Sequence, residues 1–281
     1  MKRSAPAMLI GVALLAVSCS DDQLASPAPE ETASESPDTQ TEPPTEDAAS
    51  DTPEQSEPPT DPDLPSDDDI ESFVSAIATS SISDLESARD LVVEDSPAAN
   101  YLTYYRHSEE AAIDGGLPAL EGNRVGEIDA GFEICATEEG EERCSTYTDF
   151  EGDEGRITSF QIQDRNLTDR LEMGTGEEVK GPGGSTFKLV AAYRNANDSH
   201  LLVGYEMRSG DRELEMPLAS YRGAEGRQSS SDGHIGSFSL APDSMSHYVV
   251  SIPNADPGGE LFLEVYGDDI GLETVTLTAA D

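Results

Sequence analysis

The side chains of this 281-residue chain best suited to chemistry are three cysteines, four histidines and a few closely spaced carboxylates and tyrosines. Cys135 and Cys144 flank Glu139 and Gly140 symmetrically. If those two residues are the centre of a tight hairpin turn, with glycine supplying a positive φ, Cys135 faces Cys144 directly. Counting outward from the turn makes theirs a non-hydrogen-bonded pair, where Cα atoms lie about 4.5 Å apart and a disulfide closes easily. His107, His200, His234 and His247 are scattered, and none has the i, i+4 partner or cysteine neighbours of a zinc site. They read as surface or boundary histidines, and the sequence calls for no metal and no cofactor. Asp149, Glu151 and Asp153 alternate as the first oxygens of a calcium loop do. Glu154 then stands where glycine is needed and Phe160 where the bidentate Glu belongs, so the stretch reads as a solvated hairpin. Neither G-x-S-x-G nor H-E-x-x-H occurs, and Gly174 and Gly176 lack the third glycine of a dinucleotide loop. Tyr101, Tyr104 and Tyr105 line either a ligand pocket or, as their spacing favours, the chain's own core.

These residues sit on a clear succession of elements. Ile70, Phe73, Val74 and Ile77 share one helical face. Ser83 with Glu86 forms a capping box for a second helix continuing through Leu85, Ala88 and Val92. Ser96 and Pro97 open a third that runs through Tyr101, Leu102, Tyr105 and Ile113 to Gly115 and Gly116. Period-two strands follow at Val125–Glu127, Phe132–Ile134, Cys144–Phe150 and Arg156–Ile162, giving a small α+β domain over 70–171. Helices followed by an antiparallel meander resemble the NTF2-like (nuclear-transport-factor-like) and cystatin-like superfold. The glycines between 172 and 185 read as an interdomain linker. From 186 to 281 the pattern is strand only, with apolar sets at Phe187–Tyr193, Leu201–Met207, Leu214–Leu218, Phe238–Leu240, Tyr248–Ile252, Leu261–Val265 and Val275–Leu277. That spacing suits a two-sheet sandwich. It resembles the immunoglobulin-like domains that end many Gram-positive and actinobacterial lipoproteins, without the paired cysteines and buried Trp of antibody domains.

At the N-terminus, Lys2 and Arg3 precede an apolar run of about ten residues, too short to span a bilayer, which ends in Ala16, Val17, Ser18 and Cys19. This resembles a bacterial lipoprotein signal, with Ala16 where Leu is commonest. The resemblance implies removal of residues 1–18, lipidation of Cys19 and anchoring at the extracytoplasmic face of the cell membrane. Residues 19–69 hold Pro, Ser, Thr and 17 acidic residues with no Lys or Arg, a composition expected to be a disordered tether. With Cys19 consumed, Cys135 and Cys144 are an even pair in an oxidising compartment. The net charge of -42 excludes nucleic acid and anionic lipid as electrostatic partners. The expectation is a lipid-anchored protein acting by binding or interaction with an envelope partner rather than by catalysis. The alternative is an enzyme or small-ligand carrier with a pocket in 70–171 and a carboxylate such as Glu133 or Asp149 made basic by burial.

Overall fold

The computed structural model describes residues 64–118, 123–138, 141–266 and 271–279. The signal segment, Cys19, most of the expected tether and the Glu139–Gly140 turn lie outside them. In chain order the helices are α1 (Asp67–Thr79), α2 (Ile82–Ser87) and α3 (Pro97–Asp114). Ser66 caps α1 through its hydroxyl, 3.2 Å from the Asp69 amide, so order starts three residues before the expected boundary. Asp67, Asp68 and Asp69 fill the first turn, where the helix dipole favours negative charge. The capping box at Ser83 does not form. α2 begins earlier, after Ser81, and Ser83 spends its hydroxyl on Ser81. α3 has the expected ends, with Ser96 Oγ accepting from the Ala99 amide and Pro97 in the first turn.

The first sheet is an antiparallel meander of β1 (Arg124–Ile128), β2 (Gly131–Glu138), β3 (Glu141–Asp153), β4 (Arg156–Ile162) and β5 (Arg165–Asn166). Then come β6 (Leu171–Met173), β7 (Glu178–Lys180), β8 (Thr186–Arg194), β9 (His200–Arg208), β10 (Leu214–Glu215), β11 (Leu218–Arg222), β12 (Gln228–Ser230), β13 (Gly233–Ile235), β14 (Ser239–Leu240), β15 (Met245–Pro253), β16 (Glu260–Val265) and β17 (Glu273–Thr278). Strands β13, β15, β9, β8 and β6, with β7 also on β8, make a six-stranded antiparallel sheet, and β12, β11, β16 and β17 make a four-stranded one. β10 and β14 pair separately.

One apolar cluster joins these two sheets face to face, with Phe187, Leu201, Val203, Tyr205, Tyr248 and Ile252 meeting Tyr221, Leu261, Leu263, Val275 and Leu277. Such interdigitation of alternate residues is what the period-two pattern requires. The opposite face of the six-stranded sheet supplies Ala191, Tyr193, Leu202 and Val249 to a second cluster, which contains the helices and the meander. Residues 172–185, expected to be a linker, instead carry β7 and most of β6, both paired with β8. The glycines there allow close approach: a Cβ on Gly174 would stand 2.1 Å from the Leu189 carbonyl oxygen. Helices α1 to α3 therefore share their core with a sheet built from the second half of the chain.

Candidate functional site

α3 carries His107, Glu110 and Asp114 at i, i+3 and i+7, a spacing that places all three on one helical face. Across the six-stranded sheet, Lys188 on β8 pairs with Glu206 on β9, and Glu206 pairs with His247 on β15. A basic, an acidic and an imidazole side chain thus stand in one row on the face that α3 covers. Gly204, two residues before Glu206, makes room for the helix: a Cβ there would lie 2.7 Å from Cδ2 of His107. A side chain at position 204 would force the imidazole to shift.

His107 is 4% exposed, which corrects the expectation of a surface or boundary side chain. Its Nε2 lies 3.0 Å from the Tyr248 carbonyl oxygen. A carbonyl only accepts, so Nε2 holds the proton and the lone pair of the neutral ring is on Nδ1. Burial is the main cause pushing its pKa down to about 4. The Tyr248 carbonyl opposes that shift, His247 adds to it, and Glu206 and Lys188 act in opposite senses. His107 is neutral at pH 7.

His247 is fixed by Asp114. Its backbone N–H donates to Asp114 Oδ2 at 2.8 Å, its Nδ1 sits 3.0 Å from the same oxygen, and the Ser246 hydroxyl adds a third donor at 3.0 Å. An acidic residue in the last turn of a helix faces the negative end of the dipole, and these donors offset that cost. With Nδ1 held by Asp114, Nε2 of His247 points at Glu110 Oε2, 3.4 Å away. The two imidazole rings meet edge to face with centroids 5.3 Å apart. Lys188 Nζ lies 3.2 and 3.3 Å from the Glu206 oxygens, and Arg106 Nη2 lies 3.1 Å from Glu110. One ligand atom from each of His107, Glu206 and His247 falls within 4.8 Å of the other two. Such a set of imidazole and carboxylate donors can hold a divalent ion or a proton.

The residues singled out from sequence fall elsewhere. Cys135 and Cys144 form a disulfide with Cα atoms 4.0 Å apart, in the expected register with Glu138 opposite Glu141. Tyr101, Tyr104 and Tyr105 belong to an aromatic core: Tyr101 packs on Phe160 and Tyr193, and its hydroxyl lies 3.4 Å from that of Tyr147. Burial raises the phenol pKa of Tyr101 and Tyr147 well above the usual value. Of the carboxylates named for the alternative, Asp149 is exposed at an irregularity of β3, and half-buried Glu133 faces Arg124. Asp149, Glu151 and Asp153 all point to solvent. His200 pairs with Asp232 at 3.1 Å. The triplet on α3 was legible as H-x-x-E-x-x-x-D within a helix whose ends the caps define, and Glu206 interrupts an otherwise apolar strand. No protein-family model matches the chain, and no curated protein or solved structure is significantly similar to it.

Proposed function

We propose that the chain is a lipid-anchored protein of the extracytoplasmic membrane face, held through Cys19 and acting by binding or interaction at the cell envelope. The observation that carries this reading is the Cys135–Cys144 disulfide, a cross-strand bond of the kind that persists in oxidising compartments. It agrees with the short apolar run and the small residues before Cys19. The face-to-face β8–β9–β15 and β11–β16–β17 sheets support reading the later half as an immunoglobulin-like interaction module. The helices on the antiparallel meander support the NTF2-like or cystatin-like comparison for the earlier half. Tyrosines fill the space beneath α3 in which a small-ligand carrier would keep its cavity, which favours binding over the carrier alternative.

Metabolic labelling with a fatty acid tests the anchor. The full chain acquires label and sediments with membranes, whereas Cys19→Ala is unlabelled and is either released or left uncleaved. An unlabelled wild-type chain, or label that survives Cys19→Ala, overturns the reading.

A further inference from the structure

We propose that His107, Glu206 and His247 form a binding site for a divalent transition-metal ion of the zinc type, with Glu110 as the adjacent carboxylate. The donors come from a helix and two strands, and a ligand atom from each of the three lies within 4.8 Å of the others. A tetrahedral ion with bonds of about 2.1 Å places its ligand atoms roughly 3.4 Å apart, so closure asks for movements of about 1.4 Å or less. Two imidazoles and a carboxylate are a borderline nitrogen and oxygen set, suited to zinc, nickel or copper rather than to calcium or magnesium. Both rings are held as metal-binding imidazoles usually are, each giving its other N–H to an outer acceptor: His107 to the Tyr248 carbonyl and His247 to Asp114.

A fourth group stands beside the three donors: with Nδ1 of His247 held by Asp114, its Nε2 lies 3.4 Å from Glu110 Oε2, which places a second carboxylate next to the nitrogen that an ion would take. The site also has a way in. Lys188 and Glu206 are about a third exposed and Glu110 about a quarter. A chain of net charge -42 concentrates cations at its surface. Lys188 then acts as the resident countercharge that an incoming ion displaces from Glu206. The other grouping of this kind among the described residues, Glu133 with Cys135 and Cys144, has its two sulfurs joined to each other.

The test is titration of the chelator-treated full chain with zinc ion alone, followed calorimetrically in millimolar calcium to mask the acidic surface, and repeated with cobalt ion to read the visible absorption of a nitrogen-containing low-symmetry site. The expected result is saturable 1:1 binding, weakened at least tenfold by Glu206→Gln and by His247→Gln and about tenfold by Asp114→Asn. Lys188→Met strengthens binding, because it removes the competing cation; a structural network with no metal role shows only the loss of its ion pair. Glu206 is partly exposed, so Glu206→Gln keeps the fold and carries the test even if the histidine variant is destabilised. Absence of 1:1 binding in calcium, or equal affinity in wild type and Glu206→Gln, overturns the proposal.

Discussion

Replacing Arg170 by Met is the sharpest perturbation of the core. Arg170 is 1% exposed, and its guanidinium sits inside the turn between β8 and β9. Nη1 donates to the Asn195 and Arg194 carbonyls at 2.6 and 3.3 Å, and Nη2 to Ala196 at 3.2 Å. Asp198 Oδ1 lies 3.1 Å from Nη1, while Asp198 also meets Arg165 at 2.9 Å and Arg194 at 3.4 Å. Methionine keeps most of the volume but removes every donor: the Arg194 and Ala196 carbonyls lose the guanidinium, while the Asn195 carbonyl keeps the Asp198 amide at 2.9 Å. Breaking a buried pair from one side costs about 3–5 kcal/mol. Asp198 retains two other arginines, which puts the expected loss near the lower figure, roughly 3 kcal/mol. In a domain of this size that lowers Tm by about 6–12 °C. Urea unfolding of wild type, Arg170→Met, Asp198→Asn and the double variant measures both the loss and the coupling. The double variant should lose about 1 kcal/mol or more less than the two single losses added together. Exposed Arg165→Met should lose less than about 1 kcal/mol. A loss below about 1 kcal/mol for Arg170→Met, or additive behaviour with Asp198→Asn, refutes the view that this buried charge organises the turn.

The Cys135–Cys144 bond closes a loop of about ten residues, worth roughly 2.7 kcal/mol by the chain-entropy relation, so Cys135→Ala with Cys144→Ala should lower unfolding stability by about that amount. Equal stability of the bridged and double-alanine chains, or free thiols in protein taken from the cell surface, would contradict it. Burial beside α1 raises the Glu109 carboxyl pKa, although a hydrogen bond from Ser80 opposes the shift. Because the folded value lies above the unfolded one, its contribution to stability is full below the unfolded pKa and is lost as pH rises through the folded value. Glu109→Gln should therefore stabilise the protein at pH 7.5 and show little gain near pH 4. Denaturation at the two pH values decides, and a gain that does not grow with pH counts against a buried, costly carboxylate.

Much of this architecture is local and so was legible in the sequence. Ser96 supplies a cap oxygen to the amide three residues on and Pro97 needs no hydrogen bond in the first turn, whereas the Ser66 cap, which starts α1 before Ile70, was not read from the sequence. Cys135 and Cys144 share a hairpin whose register follows from counting outward from its turn. Alternation told which side chains of β9 and β15 face the sandwich core, because a strand presents odd and even positions to opposite sides, whereas on β8 a register shift between Leu189 and Ala191 breaks the alternation and turns Ala191 and Tyr193 from the expected set to the helix side. The Ser83 box failed for an equally local reason: Ser81 offers the earlier start, and Ser83 bonds to it instead.

What only the tertiary structure decided is which of those faces meet. Lys188, Glu206 and His247 become a row through two strand pairings, the longer joining residues about forty positions apart, and His107 joins them because Gly204 leaves a gap under α3. Arg170 is an ordinary charged residue until the β8–β9 turn folds its carbonyls around it. Residues 172–185 have a linker's composition, yet Glu172, Met173 and Glu178 to Lys180 pair with β8, which composition does not encode. The period of a segment fixes its own faces, whereas the partner of each face is set by the burial of all the others together, and the helix–sheet cluster exists only at that level.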